Sequence, residues 1–207
     1  MSAMPVSPPS SRFSRLTRKR LVPVLLLGAT AAACSSTPAP TTFDLTAPRG
    51  PARGGSVRGQ IVVQEPAAIQ TFEAERIVVR DSAGSVSLLG GGQFADRLPR
   101  LIQARLIQTF ENASLLKAVS RPGDRVTADY QLNSEIRSFE VSAATGEAVV
   151  EISVKLIEDR SGRILNAKVF TARAPIGAVD AVNAAQGLNR ALSIVLLDIV
   201  RWIGTVR

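Results

Sequence analysis

Ser114-Leu115-Leu116-Lys117 sets a hydroxyl and an amine three positions apart. In a helix this S-x-x-K spacing lets a lysine take the serine proton, the chemistry of penicillin-binding enzymes. The S-D-N and K-T-G companions are absent, and the four residues fall where a helical pattern gives way to a strand pattern. Chance spacing at that junction is the better reading. Glu73 and Glu75 are two carboxylates close enough for acid–base work, yet they share a polar loop with Arg76, where a solvated surface pair is expected. Gly90-Gly91-Gly92 lacks the sequence context of a phosphate cradle and reads as a loop that breaks the flanking pattern. The 207 residues include no histidine and one cysteine. Ser-His-Asp and Cys-His catalysis, histidine-based zinc sites and an internal disulfide framework are thereby excluded. No catalytic, cofactor-binding or metal-binding residue is nominated, and the expectation is a protein that is not an enzyme and needs no cofactor.

The cysteine is the informative residue. Arg12, Arg15, Arg18, Lys19 and Arg20 precede an uncharged apolar run, residues 21–33, which ends in Ala31-Ala32-Ala33 just before Cys34. That run is shorter than the roughly 20 residues a membrane-spanning helix needs. A basic stretch, a short apolar stretch and small residues in series describe a secretory signal peptide. "AAAC" also resembles the bacterial lipobox, in which the thiol is acylated and the cysteine becomes the new N-terminus. Two or more acyl chains, palmitate among them, hold a protein stably at a membrane where one does so only marginally. Cys34 is therefore the expected lipidation site, and residues 1–33 the expected signal peptide. Ser35 and Ser36 follow it. Resemblance to outer-membrane lipoproteins, which lack an aspartate retention signal, favours the periplasmic face of the outer membrane.

The formal charge is +8, which invites a nucleic-acid reading. Five of the 25 basic residues lie before the apolar run, however, and no acid lies among residues 1–33. Setting the remaining 20 basic residues against 17 acidic ones leaves +3 for residues 34–207, an ordinary mixed surface. No nucleic-acid partner is expected.

The elements that must position these residues follow from periodicity. Residues 34–57, the lipidated cysteine and a Pro-, Thr-, Ser-, Ala- and Gly-rich stretch, read as a flexible tether carrying one apolar island, Phe43-Asp44-Leu45. Residues 58–207 read as one domain. "RGQIVVQE" and "RIVVRD" are β-branched strand runs, and residues 76–89 read as a hairpin about Ala83-Gly84. Phe94, Leu98, Leu101/Ile102, Leu106 and Phe110 recur at helical spacing, with Pro99 in an early turn. A short strand near 116–119 and the turn "RPGD" come next. Tyr130, Leu132, Ser134 and Ile136 then alternate with Asp129, Gln131, Asn133, Glu135 and Arg137. Phe139 and Val141 are out of phase with this set, which predicts a bulge near Arg137-Ser138. Two more strands flank a turn at 159–162, and Val182–Ile203 is a long C-terminal helix. The fold class is α+β: a single domain, a mostly antiparallel sheet packed by two helices, the second being the long C-terminal one.

The order of these elements resembles the ABC-type transport auxiliary lipoprotein component family over most of the chain beyond Cys34. "FDL" stands where the family has an aromatic-x-Leu after the lipidated cysteine. "IVVQEPAAIQTFEAERIVVR" (61–80) and "QFADRLPRLIQARLIQTFE" (93–111) are similar to its early strands and first helix, with Phe94 in place of the usual tryptophan. The resemblance implies a lipid-anchored periplasmic component of a system that moves phospholipids or other hydrophobic molecules between two membranes. Its implied partners are a mammalian-cell-entry domain protein, ABC transporter subunits and the membrane itself. It carries no catalytic residues over, and it leaves open phospholipid binding by the domain and homo-oligomer formation. The competing class is a structural envelope-assembly or secretion adaptor; a serine hydrolase built on Ser114 is disfavoured.

Two surfaces remain as binding candidates. The polar face from Asp129 to Arg137 is expected to be solvated, as antiparallel sheets commonly leave one face wet. The apolar faces of the two helices are expected to be core rather than a lipid cavity. Ile194, Leu197 and Val200 lie off the main apolar face of the last helix, which marks that second side for a partner, another copy or lipid.

Overall fold

The computed structural model describes residues 39–50, 57–114 and 116–205. The expected signal peptide and Cys34 lie outside the described residues. Nine strands form one mixed sheet. They are β1 Thr41–Phe43, β2 Val57–Val63, β3 Ala67–Ala68, β4 Arg76–Arg80, β5 Val86–Phe94, β6 Leu116–Ser120, β7 Tyr130–Ser142, β8 Glu147–Glu158 and β9 Ile164–Pro175. Two helices complete the single α+β domain: α1, Leu98–Ala113, and α2, Ala181–Ile203.

The antiparallel hairpins anticipated at Ala83-Gly84 and at 159–162 are present as β4–β5 and β8–β9, and a further hairpin joins β7 to β8. The remaining pairings are parallel. One long edge of β7 is lined in sequence by β2, β3 and β4, while β6 adds to β2 and β1 to β5. Alternation places Leu132 and Ile136 of β7 in the core. The register slips between Ile136 and Ser138, and Phe139 and Val141 then take the inward phase. This is the expected bulge, and it keeps a 13-residue strand in contact with one core throughout.

Both helices turn their apolar stripes onto the sheet. Leu98, Ile102, Leu106 and Phe110 of α1 and Leu188, Leu192, Val195, Leu196 and Ile199 of α2 are all buried. Pro99 sits in the first turn of α1, where its missing N–H costs nothing. Ser114 closes that helix in the left-handed region, φ 52°. Asp180 caps α2, its carboxylate accepting the Asn183 N–H at 2.9 Å.

Three sequence expectations are corrected. Phe94 ends β5 instead of opening a helix, and its buried ring meets Phe139 edge-on at 5.6 Å. Gly90–Gly92 do not interrupt the strand but belong to it. A Cβ on Gly92 would come within 2.6 Å of Ala181 Cβ and 2.8 Å of the Phe43 ring, so the glycine is what lets β1 and α2 close on β5. Val200 is 1% exposed and belongs to the core, not to a second face of α2.

Two outcomes follow. Gly92→Ala should destabilise the domain by about 1–3 kcal/mol through overpacking. Gly90→Ala, with open space at its Cβ, should be neutral within error in urea melts. The Asp180 carboxyl is held below its usual range, chiefly by the Asn183 backbone N–H and then by that residue's side-chain amide. A lowered folded pKa stabilises above the unfolded value and is lost as pH falls through the folded one. The stability gap between the native protein and Asp180→Ala should therefore be full at neutral pH and narrow below about pH 4.

Candidate functional site

The stretch expected to be a tether from 34 to 57 is, over residues 41–50, part of the fold. Thr41, Thr42 and Phe43 pair in parallel with Gly92, Gln93 and Phe94, and the Phe43 carbonyl accepts the Ala95 N–H at 2.9 Å. Leu45 is 1% exposed, inside the main core. Beyond it the chain crosses both helices. On α1, the Arg105 guanidinium donates to both Asp44 oxygens at 2.6 Å, and Asn112 Nδ2 donates to the Pro48 carbonyl at 3.3 Å. On α2, Asn189 Oδ1 accepts from the Thr46 N–H at 2.8 Å. Leu197 packs against the backbone at Gly50, 3.1 Å from where a Cβ would stand. Leu197, half-buried, is thus covered in part by the chain's own arm, where a partner, another copy or lipid was expected. Burial of Leu45 dominates the docking energy, because the Asp44 carboxylate is 58% exposed and such ion pairs contribute little.

The polar face of β7 carries the second candidate. Gln131 Oε1 accepts from Gln64 Nε2 at 3.3 Å, Asp129 accepts the Gln60 N–H at 2.8 Å, and Arg137 pairs with Glu151 at 3.1 Å. An open groove of about 500 Å³ is lined by Gln64, Glu65, Asn133, Glu135, Ser153 and Lys155, among others. Asn133 Oδ1 and Ser134 Oγ are buried without a partner. The groove offers amides, a hydroxyl and opposed charges.

The other sequence candidates are taken apart by the geometry. Ser114 caps α1 while Lys117 lies in β6, so the two never share a helical turn. The Glu73 carboxylate is paired to Arg97, which also donates through Nε to the Glu73 carbonyl at 3.2 Å. It pins the start of α1 and is not half of a carboxylate dyad. Among the described residues no group of three or more Asp, Glu or Cys is placed to hold a metal ion. No described helix is long and apolar enough to cross a membrane.

A family model for ABC-type transport auxiliary lipoprotein components matches residues 43–200, beginning at the phenylalanine that ends β1. The chain belongs to this family. It is an auxiliary transport lipoprotein family and not one of known enzymes. An uncharacterized protein of Bradyrhizobium diazoefficiens is 30% identical over 167 residues, 78% of this chain and 44% of that protein. The chain thus spans less than half the length of that curated relative. A crystal structure from Xanthomonas campestris superposes with a TM-score of 0.74 at 25% identity, covering 79% of this auxiliary lipoprotein and 94% of that chain. A second solved structure, of an uncharacterized protein, has a TM-score of 0.64 at 15% identity over 79% of this chain and 98% of its own, and it bears out the fold alone.

The arm was visible in the sequence only as two apolar residues in a proline-rich stretch. Its integration yields a test. Leu45→Ala should cost about 2–5 kcal/mol, the range for emptying a buried leucine site. A chain beginning at Arg58 should melt well below the full domain or aggregate, as read by thermal circular dichroism.

Proposed function

We propose that this auxiliary lipoprotein is a non-enzymatic, Cys34-anchored component of an ABC transporter and mammalian-cell-entry protein system that moves phospholipids or other hydrophobic molecules between membranes. Its place is the periplasmic face of the outer membrane. The observation that carries the reading is the docked arm. The residues that follow the expected acylated cysteine are built into the core through Leu45 and strapped over α1 and α2. An anchor attached in this way sets the position of the whole domain and not only its distance from the membrane.

The interior supports a docking and positioning role over that of a lipid carrier. The apolar faces of α1 and α2 are filled by packed side chains. The grooves described among the resolved surfaces are open and lined largely by polar groups, as at Asn133 and Lys155 or at Asp44 and Arg105. An acyl chain needs a dry, enclosed site. The hydrophobic cargo is therefore handled by partners, and this domain holds them at the membrane.

Cys34→Ser should abolish acyl labelling and move the protein from the membrane to the soluble periplasmic fraction. The acylated protein, extracted in detergent, should co-purify with a mammalian-cell-entry domain protein and transporter subunits. Unchanged fractionation and labelling of the variant would remove the anchor. Co-purification with envelope-assembly or secretion proteins alone would replace the transport role with that of an adaptor.

A further inference from the structure

The direction of β1 and the distribution of charge together orient the domain. β1 runs parallel to β5, so the chain before Thr41 points back towards the start of β5. The strand registers put the turns 81–85, 143–146 and 176–180 at that same end of the sheet. The turns 121–129 and 159–163 lie at the other end.

The two ends differ in chemistry. The first three turns hold two charged residues in 14 positions, Asp81 and Asp180, and the other two turns hold seven in 14. Both of those aspartates are occupied with backbone: Asp81 accepts the Ala83 and Ser85 N–H groups at 2.9 and 2.8 Å, and Asp180 caps α2. The nearest strand-end charges are paired, Arg80 with Glu140 at 2.7 Å and Arg173 with Glu147 at 3.3 Å. At this less charged end Val179 and Val182, on either side of the Ala181 that packs on Gly92, are 44% and 50% exposed. Val86 and Leu88, at the start of β5, are 44% and 53% exposed.

The covalent reach decides what covers this surface. Cys34 precedes Thr41 by seven residues. Seven residues span no more than about 25 Å when fully extended, and about 15 Å as a coil. We propose that the end of the domain bearing Val179 and Val182 rests on the phospholipid surface, these side chains entering at headgroup depth, and that the charged end with turn 159–163 faces away towards the periplasm. The proposal rests on acylation of Cys34. Apolar side chains clustered at an end whose Arg190 guanidinium donates to the Pro175 carbonyl at 2.8 Å fit an interfacial contact that supplements an acyl anchor.

The test uses the full acylated protein in vesicles of phosphatidylethanolamine and phosphatidylglycerol. Acylation blocks the native thiol, so Val182→Cys and Ser161→Cys each supply one position for an environment-sensitive fluorophore. Both residues are exposed, so both variants should fold as the native protein does. The probe at 182 should shift to the blue and be quenched several-fold by headgroup-level spin-labelled lipid, while the probe at 161 should stay in water. With flotation intact, an unquenched 182, or equal quenching at both sites, overturns the orientation. A 182 probe shielded only after a partner protein is added also overturns it, assigning this end to protein docking. A protein that carries no acyl chains and does not float removes the anchor, and the orientation with it.

Discussion

Thirteen residues of β7 present a long edge that no single neighbour satisfies, and meeting that demand organises the molecule. Buried backbone N–H and C=O groups must find partners. β8 does so along the whole of one side. On the other side β2, β3 and β4 supply the partners in three short parallel pieces, stepping from Tyr130 to Ser142. Pro66 separates the first two pieces, and the single 3₁₀ turn at Gln70–Phe72 precedes the third. Two of the pieces gain an outer cover, which β6 gives to β2 and β5 gives to β4, while the two-residue β3 pairs with β7 alone. The arm extends the same logic outward, with β1 covering β5 and Leu45 closing the core where the chain leaves the sheet.

What the sequence disclosed and what it withheld divide along this line. Hairpins announce themselves, because a turn residue such as Gly84 or Gly162 stands between two alternating runs. The bulge in β7 was legible because Phe139 and Val141 break phase with Leu132 and Ile136. The helices were legible from their stripes. Parallel pairings leave no local mark: β2 and β7 meet across nearly 70 residues, and nothing in "QEPAAIQ" signals that Ala67 and Ala68 complete a sheet edge. Gly92 misled for a related reason. A glycine inside a strand marks a close approach by another segment, and that segment is Phe43 with Ala181, distant in sequence on both sides. Cys34 stood in the opposite position. Its proposed acylation is argued wholly from neighbouring residues and from no element of the fold.

Docking of the arm changes what an acyl anchor can do. A domain on a long coil samples every orientation to the membrane, and no face is favoured. With β1 beginning at Thr41, acyl chains on Cys34, as proposed, would hold the domain within about 25 Å of the lipid. Natural selection on solubility would place charge in exposed turns, as it has in Arg121, Asp124, Arg125, Asp159, Arg160 and Arg163. The turns 81–85, 143–146 and 176–180 carry mostly alanine, glycine, serine and other uncharged residues instead, with Asp81 and Asp180 bonded to backbone.

The proposed membrane contact at one end would leave the rest of the surface for proteins. The polar face of β7 and β8 carries the open groove around Asn133 and Lys155, lined by residues of these strands and of the segment 64–67. Buried, partnerless atoms such as Asn133 Oδ1 are costly unless something completes them. Under the proposed function, an anchor at Cys34 and a docked arm would together let the domain present such a face in a constant direction. Leu45, Gly92 and the strap over both helices are the features that would convert a lipid attachment into a defined pose.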